Sequence, residues 1–93
     1  MTSPRFSMGR TLATPGALAA MQESGDDPHI YFARHECGDW GDLDAHDQAL
    51  NEESLKVRNG RIVSSYRLTN GTKIWIITEH DRSITTILLP EEY

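Results

Sequence analysis

Residues 61–79 read RIVSSYRLTNGTKIWIITE, and this stretch decides the fold. Two β-rich runs, Arg61–Leu68 and Lys73–Glu79, flank the tetrapeptide Thr-Asn-Gly-Thr. Asn-Gly tolerates the positive φ that a type I′ turn requires at both central positions. The sequence therefore predicts a β-hairpin with a two-residue loop, in which Tyr66 lies opposite Trp75 as an aromatic pair.

A third strand follows this hairpin. His80-Asp81-Arg82 has the composition of a short turn, Ser83–Leu89 is β-rich, and Pro90 ends the run. The middle strand contains four consecutive apolar residues, Ile74–Ile77, so we expect both of its faces to be covered. The last third of the chain thus predicts a three-stranded antiparallel meander over residues 60–90.

Three helix-start signals precede the meander. Thr14 and Asp27 each stand directly before a proline, and both residue types cap the free N–H groups of a first helical turn. Asp42 or Asp44 can cap a third helix. The predicted helices run from Thr14 to Gly25, from Pro28 to Cys37 and from Leu43 to Val57.

The predicted fold is α+β, with three short N-terminal helices packed on the C-terminal three-stranded antiparallel meander. As an alternative, Phe6–Ala13 forms an additional N-terminal strand. The 93 residues are enough for one domain with a modest core. Within it we expect disorder over residues 1–9, an acidic helical half over residues 10–58 and the meander over residues 60–90.

Cysteine usage and hydropathy indicate the compartment. A single cysteine, Cys37, excludes an internal disulfide framework, which fits a reducing cytoplasm. No apolar run approaches the roughly 20 residues that a membrane-spanning helix needs. We therefore expect a cytoplasmic protein that does not bind membranes.

Charge divides the chain into two parts of opposite sign. Residues 23–53 hold ten carboxylates and one arginine, a sum of −9, whereas residues 54–90 hold six bases and two acids, a sum of +4. An acidic surface attracts basic protein surfaces and repels nucleic acid. Together with the net charge of −5, this argues against direct nucleic-acid binding, since dedicated binders are usually basic.

The most distinctive local string is Asp39-Trp40-Gly41-Asp42. A turn-borne tryptophan flanked by acids is typical of an anchor that contacts a basic partner. Alternatively, Trp40 folds back onto the core and the aspartates cap the third helix. The candidate partner-binding residues are Asp39, Trp40, Asp42, Asp44 and Asp47.

The same region carries residue types that suit metal binding or catalysis. Their spacing matches no zinc pattern, and a Cys37 nucleophile with His35 or His46 as its base would need hydrogen-bond reach and an oxyanion site. We favour cap carboxylates, one buried thiol and exposed imidazoles, with no catalytic, cofactor or metal site. The residues concerned are His35, Glu36, Cys37, Asp39, Asp42, Asp44 and His46.

Arginines on the predicted sheet offer an alternative RNA-contact site at Arg61, Arg67 and Arg82. Basic surfaces with interleaved aromatic side chains suit single-stranded RNA. Strand alternation, however, places Arg67 on the face opposite Tyr66 and Trp75. The basic strip therefore does not assemble on one face.

Several strings resemble a family of small bacterial proteins of about this length, found on plasmids and other mobile elements. Members carry names such as "plasmid-related protein" or "type I restriction subunit". The family has no established activity, so the resemblance implies a mobile-element origin and no functional residues. A restriction activity does not fit, because the chain lacks a glycine-rich cofactor loop. The resemblance covers about Arg10 to Tyr93 and rests on Thr14–Leu18, Ala33–His35, Gly38–Leu43, Lys73–Glu79, Asp81–Ser83 and Thr85–Tyr93.

A second resemblance is to ribonuclease toxins of the RelE type. If Phe6–Ala13 is a strand, the order of one strand, helices and three strands is similar to theirs, and Gly60–Ile62 leading into Tyr66–Leu68 is similar to part of their sheet. Such toxins tend to be basic, whereas this chain is acidic. Likeness of fold alone does not establish function.

These observations favour a non-enzymatic, acidic protein-interaction module without a cofactor. The mobile-element resemblance implies that it modulates a nucleic-acid-handling host protein, with the carboxylates occupying a basic groove of that partner. One alternative is a ribonuclease toxin of the RelE type. Another is a homodimeric scaffold that pairs through an exposed sheet edge.

Overall fold

The computed structural model of the chain describes residues 3–93 and has an α+β architecture, with its three helices ahead of most of its sheet. This confirms the predicted class and the order of helical and β-rich parts. The elements in chain order are β1 (Arg10–Ala13), α1 (Pro15–Ser24), α2 (Pro28–Glu36), α3 (Ala45–Val57), β2 (Ile62–Arg67), β3 (Lys73–Thr78), β4 (Ile84–Leu88) and a 3-10 turn (Pro90–Glu92).

The sheet has four strands in the order β1-β4-β3-β2. The strands β2, β3 and β4 form the antiparallel meander, and β1 pairs in parallel with β4. The prediction of a purely antiparallel three-stranded sheet is therefore wrong. The alternative prediction, with an additional N-terminal strand, is the one observed. That strand is shorter than Phe6–Ala13, because its pairing with β4 begins only at Arg10, opposite Ile84.

The helix starts follow the predicted capping residues. Asp44, rather than Asp42, caps α3, which begins at Ala45, two residues later than predicted. The α1 helix ends at Gly25 in the left-handed conformation, as expected for a C-terminal glycine. The side chains of Thr14, Asp27 and Asp44 accept hydrogen bonds from the backbone N–H groups of Ala17, His29 and Asp47.

The β2–β3 hairpin forms as predicted, but its register differs by one residue. The amide of Leu68 donates to the carbonyl oxygen of Thr72, so the loop has three residues and Gly71 alone among them has positive φ. Tyr66 therefore pairs with Ile74, and Trp75 pairs with Ser65. The expected Tyr66–Trp75 pair is wrong, and the two rings lie on opposite faces of the sheet.

Asp26, which lies outside the hairpin, contacts its loop. The amide and the hydroxyl of Thr69 both donate to Asp26 Oδ2, at 3.0 and 3.1 Å. These bonds hold Thr69 in the loop and out of the strand ladder. Asp26 follows α1 and also accepts from the hydroxyl of Tyr31 in α2, so one carboxylate joins the hairpin to α1 and α2.

The core lies between one face of the sheet and the helices α1 and α2. Tyr66 is the largest fully buried side chain on this face, and its hydroxyl donates to the carbonyl oxygen of Asp39. Burying such apolar side chains supplies most of the driving force for folding. The buried apolar cluster consists of Ala17, Met21, Tyr31, Phe32, Tyr66, Leu68, Ile74, Ile76 and Ile87.

The segment before β1 makes defined contacts. The Arg5 amide donates to the Glu36 carbonyl oxygen, and the Phe6 ring packs edge-on against His35 and stacks with Trp40. Disorder was predicted for residues 1–9, but these contacts anchor the segment from Arg5 onward; Met1 and Thr2 lie outside the described residues. Across residues 3–93, no helix has both the length and the apolar character needed to span a membrane.

Candidate functional site

The outer edge of β2 is covered by the chain that leads into α3 and by α3 itself. Gly41 forms a parallel bridge with Ser65, whose amide donates to the Trp40 carbonyl oxygen and whose carbonyl oxygen accepts from Asp42. Farther along β2, the Asn51 side chain of α3 bonds to the backbone of Val63. These contacts place the start of α3 beside the sheet face that α1 and α2 leave uncovered.

Gly41 is required for this approach. It has a φ of +69°, and a Cβ atom built there would lie 2.1 Å from the Ser65 carbonyl oxygen. Any other residue would clash with the β2 backbone in addition to adopting an unfavourable conformation. The glycine therefore fixes where Asp42 and the following aspartates stand.

A groove with a volume of about 400 Å³ runs between this segment and the uncovered sheet face. Val63, Trp75 and Ile77 form its apolar floor, and the Tyr93 ring packs edge-on against Trp75, with the ring centres 5.7 Å apart. We call this the acidic groove. Its remaining lining residues are Asp42, Leu43, Asp44, Asp47, Ser65 and Lys73.

A second pocket of about 220 Å³ continues the acidic groove along α3. The two share Leu43, Asp47 and Val63, and the second adds Leu50 and Arg61 among others. Leu50 is 53% exposed, so α3 presents an apolar side chain here and attaches to the sheet through Asn51 instead. The apolar surface of the groove therefore extends beyond its tryptophan.

The predicted partner-binding aspartates have different surroundings. Asp39 accepts from Arg34 Nε at 2.7 Å, and this bond lowers the pKa of the carboxyl. Asp42 lies 3.4 Å from Arg67 Nε, and Asp44 caps α3. The carboxylate of Asp47 has no hydrogen bond or ion pair among residues 3–93.

The carboxylates of the acidic half thus do not form one continuous face. Asp26 and Asp27 hold the hairpin and cap α2, while Glu52 pairs with Arg5 at 2.7 Å. The acidic groove brings together Asp42, Asp44 and Asp47, three of the five residues proposed from the sequence. Asp39 does not line it.

Trp40 is not available as an anchor. Its side chain is 4% exposed, its Nε1 donates to Glu52, and it packs against Phe6 and His35. The alternative interpretation, in which Trp40 folds back onto the core, is the observed one. Trp75 is the tryptophan that lines the acidic groove, and sequence reasoning missed it because a one-residue error in hairpin register paired it with Tyr66.

His35 is fully buried, which corrects the expectation of exposed imidazoles. Its Nδ1 lies 2.5 Å from Ser64 Oγ and its Nε2 2.9 Å from Thr78 Oγ1. Burial lowers the pKa of the ring to about 3. A ring with both nitrogens engaged and no path to solvent has a structural role here. Among residues 3–93, no set of three or more His, Cys, Asp or Glu side chains is arranged to hold a metal ion.

The alternative RNA-contact arginines are not brought together. Arg61 pairs with Glu79 and donates to the Tyr93 hydroxyl, Arg67 pairs with Asp42, and Arg82 donates to backbone carbonyl oxygens. Each of the three is engaged in a different local contact. Arg61 and Arg82 line two different pockets.

No family model, curated protein or solved structure matches the chain.

Proposed function

We propose that the chain is a non-enzymatic interaction module that binds a basic protein surface through the acidic groove. The observation that carries this proposal is the position of Asp42, Asp44 and Asp47 around an apolar floor that contains Trp75. Lysine and arginine combine an aliphatic stem with a charged end. The stem packs on the floor while the charge reaches the carboxylates.

Electrostatics and shape both support this partner chemistry. The unpaired Asp47 carboxylate gains a partner on binding, and negative charge in a concave site attracts cations over several ångströms. Trp75 and Tyr93 provide a rigid aromatic surface of the kind that dominates interface energetics. The groove volume of about 400 Å³ accommodates one or two side chains of a partner.

The resemblance to mobile-element proteins narrows the proposal further. Host proteins that handle nucleic acid carry basic grooves for the phosphate backbone. We infer that the partner is such a protein, and that lysines or arginines from its basic groove reach the carboxylates of the acidic groove. The resemblance carries this narrower proposal.

A peptide of alternating lysine and leucine tests the chemistry without knowledge of the partner. In an NMR titration, we expect saturable shifts at the amides of Asp47, Val63 and Trp75, and weaker binding in high salt. The double variant Asp42→Asn/Asp47→Asn should weaken binding about three- to tenfold, as expected for the loss of two exposed charge pairs. The matched control Glu23→Gln/Glu53→Gln removes two charges elsewhere and should leave the affinity within about twofold.

Equal weakening by both double variants would show that net charge, and not the acidic groove, attracts the peptide. Shifts confined to α1 and α2 would place the contact on the other side of the sheet. Either result overturns the proposal.

One observation favours the homodimeric scaffold as a second candidate. The β2 edge is covered by Gly41 and Asn51, whereas no strand of residues 3–93 pairs with the outer edge of β1, where Leu12 is exposed. Thr11→Pro would remove an outward N–H while keeping the bonds to β4. Sedimentation velocity should then show a wild-type dimer and a monomeric variant; a monomeric wild type contradicts this candidate.

A further inference from the structure

A pocket of about 280 Å³, separate from the acidic groove, lies between the N-terminal segment and the end of α3. It concentrates positive charge in an acidic protein, because three of the chain's nine lysines and arginines line it. The lining residues are Arg5, Phe6, Ser7, Leu55, Arg58 and Arg82. We call this the arginine pocket.

Two of its three guanidinium groups have no carboxylate partner within residues 3–93. Arg5 is neutralised by Glu52, with two hydrogen bonds of 2.9 and 2.7 Å. Among residues 3–93, the side chain of Arg82 bonds only to backbone carbonyl oxygens, and the side chain of Arg58 makes no hydrogen bond or ion pair. Both guanidinium groups therefore line the arginine pocket without a carboxylate to neutralise them, and only that of Arg82 is hydrogen-bonded to carbonyl oxygens.

Arg82 is held in place before any ligand arrives. Its Nη1 donates to the carbonyl oxygens of Gly60, Glu79 and His80, and its Nη2 donates to that of Ser54. A cation fixed in this way loses little conformational entropy on binding an anion. The Ser54 carbonyl oxygen, near the negative end of α3, also accepts from the Asn59 amide, so this nearby acceptor is already hydrogen-bonded.

Arg58 is placed by the end of α3. It is the C-terminal cap residue, with a φ of +55°, and its side chain is exposed. It is therefore free to close over a ligand that Arg82 already contacts. Phe6 and Leu55 give the arginine pocket an apolar part of its lining.

We infer that the arginine pocket binds a small organic phosphate. The phosphate dianion contacts Arg58 and Arg82, because guanidinium groups form their strongest hydrogen bonds with phosphate and carboxylate oxygens. The apolar body of the ligand packs against Phe6 and Leu55. The volume of about 280 Å³ is at the small end of ligand sites, which selects a compact molecule over a dinucleotide.

A comparison of phenyl phosphate, inorganic phosphate and phenol distinguishes the contribution of the arginines from that of the apolar lining. In NMR titrations at constant ionic strength, phenyl phosphate should give saturable shifts at the amides of Ser7, Leu55 and Arg58. Inorganic phosphate and phenol should each bind at least about tenfold more weakly, because each lacks one half of the contact.

Arg58→Asn removes the charge with little effect on the backbone, because asparagine tolerates the left-handed conformation at this position. It should weaken phenyl phosphate binding about tenfold, as expected for the loss of a charge-assisted hydrogen bond. Arg67→Gln, which removes the same charge at the far end of β2, should have no effect. Non-saturating shifts, equal weakening by both variants, or equal affinity for inorganic phosphate would overturn the inference.

Discussion

Asn51 of α3 forms with Val63 of β2 the two hydrogen bonds that a neighbouring strand would make. Its Nδ2 donates to the Val63 carbonyl oxygen at 2.7 Å, and its Oδ1 accepts from the Val63 amide at 3.0 Å. A side-chain amide thus replaces a peptide group at the sheet edge. An edge covered in this way is unavailable for pairing with other chains.

Asn51→Leu should therefore be strongly destabilising. The side chain is 3% exposed, and its loss leaves the donor and the acceptor of Val63 without partners. We expect the free energy of unfolding to fall by about 2–4 kcal/mol, measured by urea denaturation. Glu53→Ala, on the exposed side of the same helix, should stay within about 0.5 kcal/mol of wild type; a similar loss in both variants would contradict the assigned role.

Gly41→Ala should cost more stability than Gly71→Ala. Both glycines have positive φ, but a Cβ at Gly41 meets the Ser65 carbonyl oxygen, whereas a Cβ at Gly71 meets nothing within 4 Å. We expect about 1 kcal/mol for Gly71→Ala, and more than about 3 kcal/mol for Gly41→Ala because the backbones must also move apart. Comparable losses in thermal or urea unfolding would show that the Gly41–Ser65 bridge is dispensable.

We expect the free energy of unfolding to be lower in mild acid because of His35. Its pKa in the folded protein is lowered to about 3, whereas an unfolded histidine titrates near 6.5, so acidification protonates the unfolded chain first. The free energy of unfolding should consequently fall by about 2 kcal/mol between pH 7 and pH 5. Urea unfolding at the two pH values measures this change.

His35→Gln is the control for this pH dependence. The variant is less stable throughout, but its free energy of unfolding should change little between pH 7 and pH 5. The carboxyls with lowered pKa values, such as Asp39 and Glu52, stabilise the fold above their unfolded pKa near 4 and lose that contribution only at lower pH. An equal pH effect in both proteins would rule out His35 as its source.

Substitution of Trp40 should mainly lower stability, whereas substitution of Trp75 should mainly weaken peptide binding. Trp40→Ala removes a side chain that is 4% exposed and should cost about 3–5 kcal/mol. Trp75→Ala removes a partly exposed ring from the acidic groove and should cost about 1–2 kcal/mol, while abolishing binding of the lysine–leucine peptide. If Trp75→Ala bound the peptide as tightly as wild type, the groove would not be the contact surface.

Local chemistry in the sequence predicted much of this fold. Thr14, Asp27 and Asp44 cap helices because a short polar side chain next to a helix start meets free N–H groups whatever surrounds it. Asn70-Gly71 likewise marks the hairpin on local grounds. These features depend on near neighbours in the chain, which the sequence displays directly.

Features that depend on distant contacts were predicted poorly. The hairpin register involves Asp26, more than 40 positions before the loop, and a shift by one residue exchanged the faces of Trp75 and Tyr66. For Trp40 the sequence left two interpretations open, a partner-binding anchor and a core residue, because nothing in the local string shows that its ring packs against Phe6 and His35. Of the five residues proposed from the sequence as partner-binding, only Asp42, Asp44 and Asp47 line the acidic groove.

The parallel pairing of β1 with β4 also affects the order in which the fold opens. Arg10 pairs with Ile84, so most of the chain must be closed into a loop before this contact forms, whereas the meander joins near neighbours. Amide hydrogen exchange should accordingly be fastest in β1 and slowest in β3. When β1 detaches, β4 becomes a bare strand edge, and this transient state is where misassembly of the protein would begin.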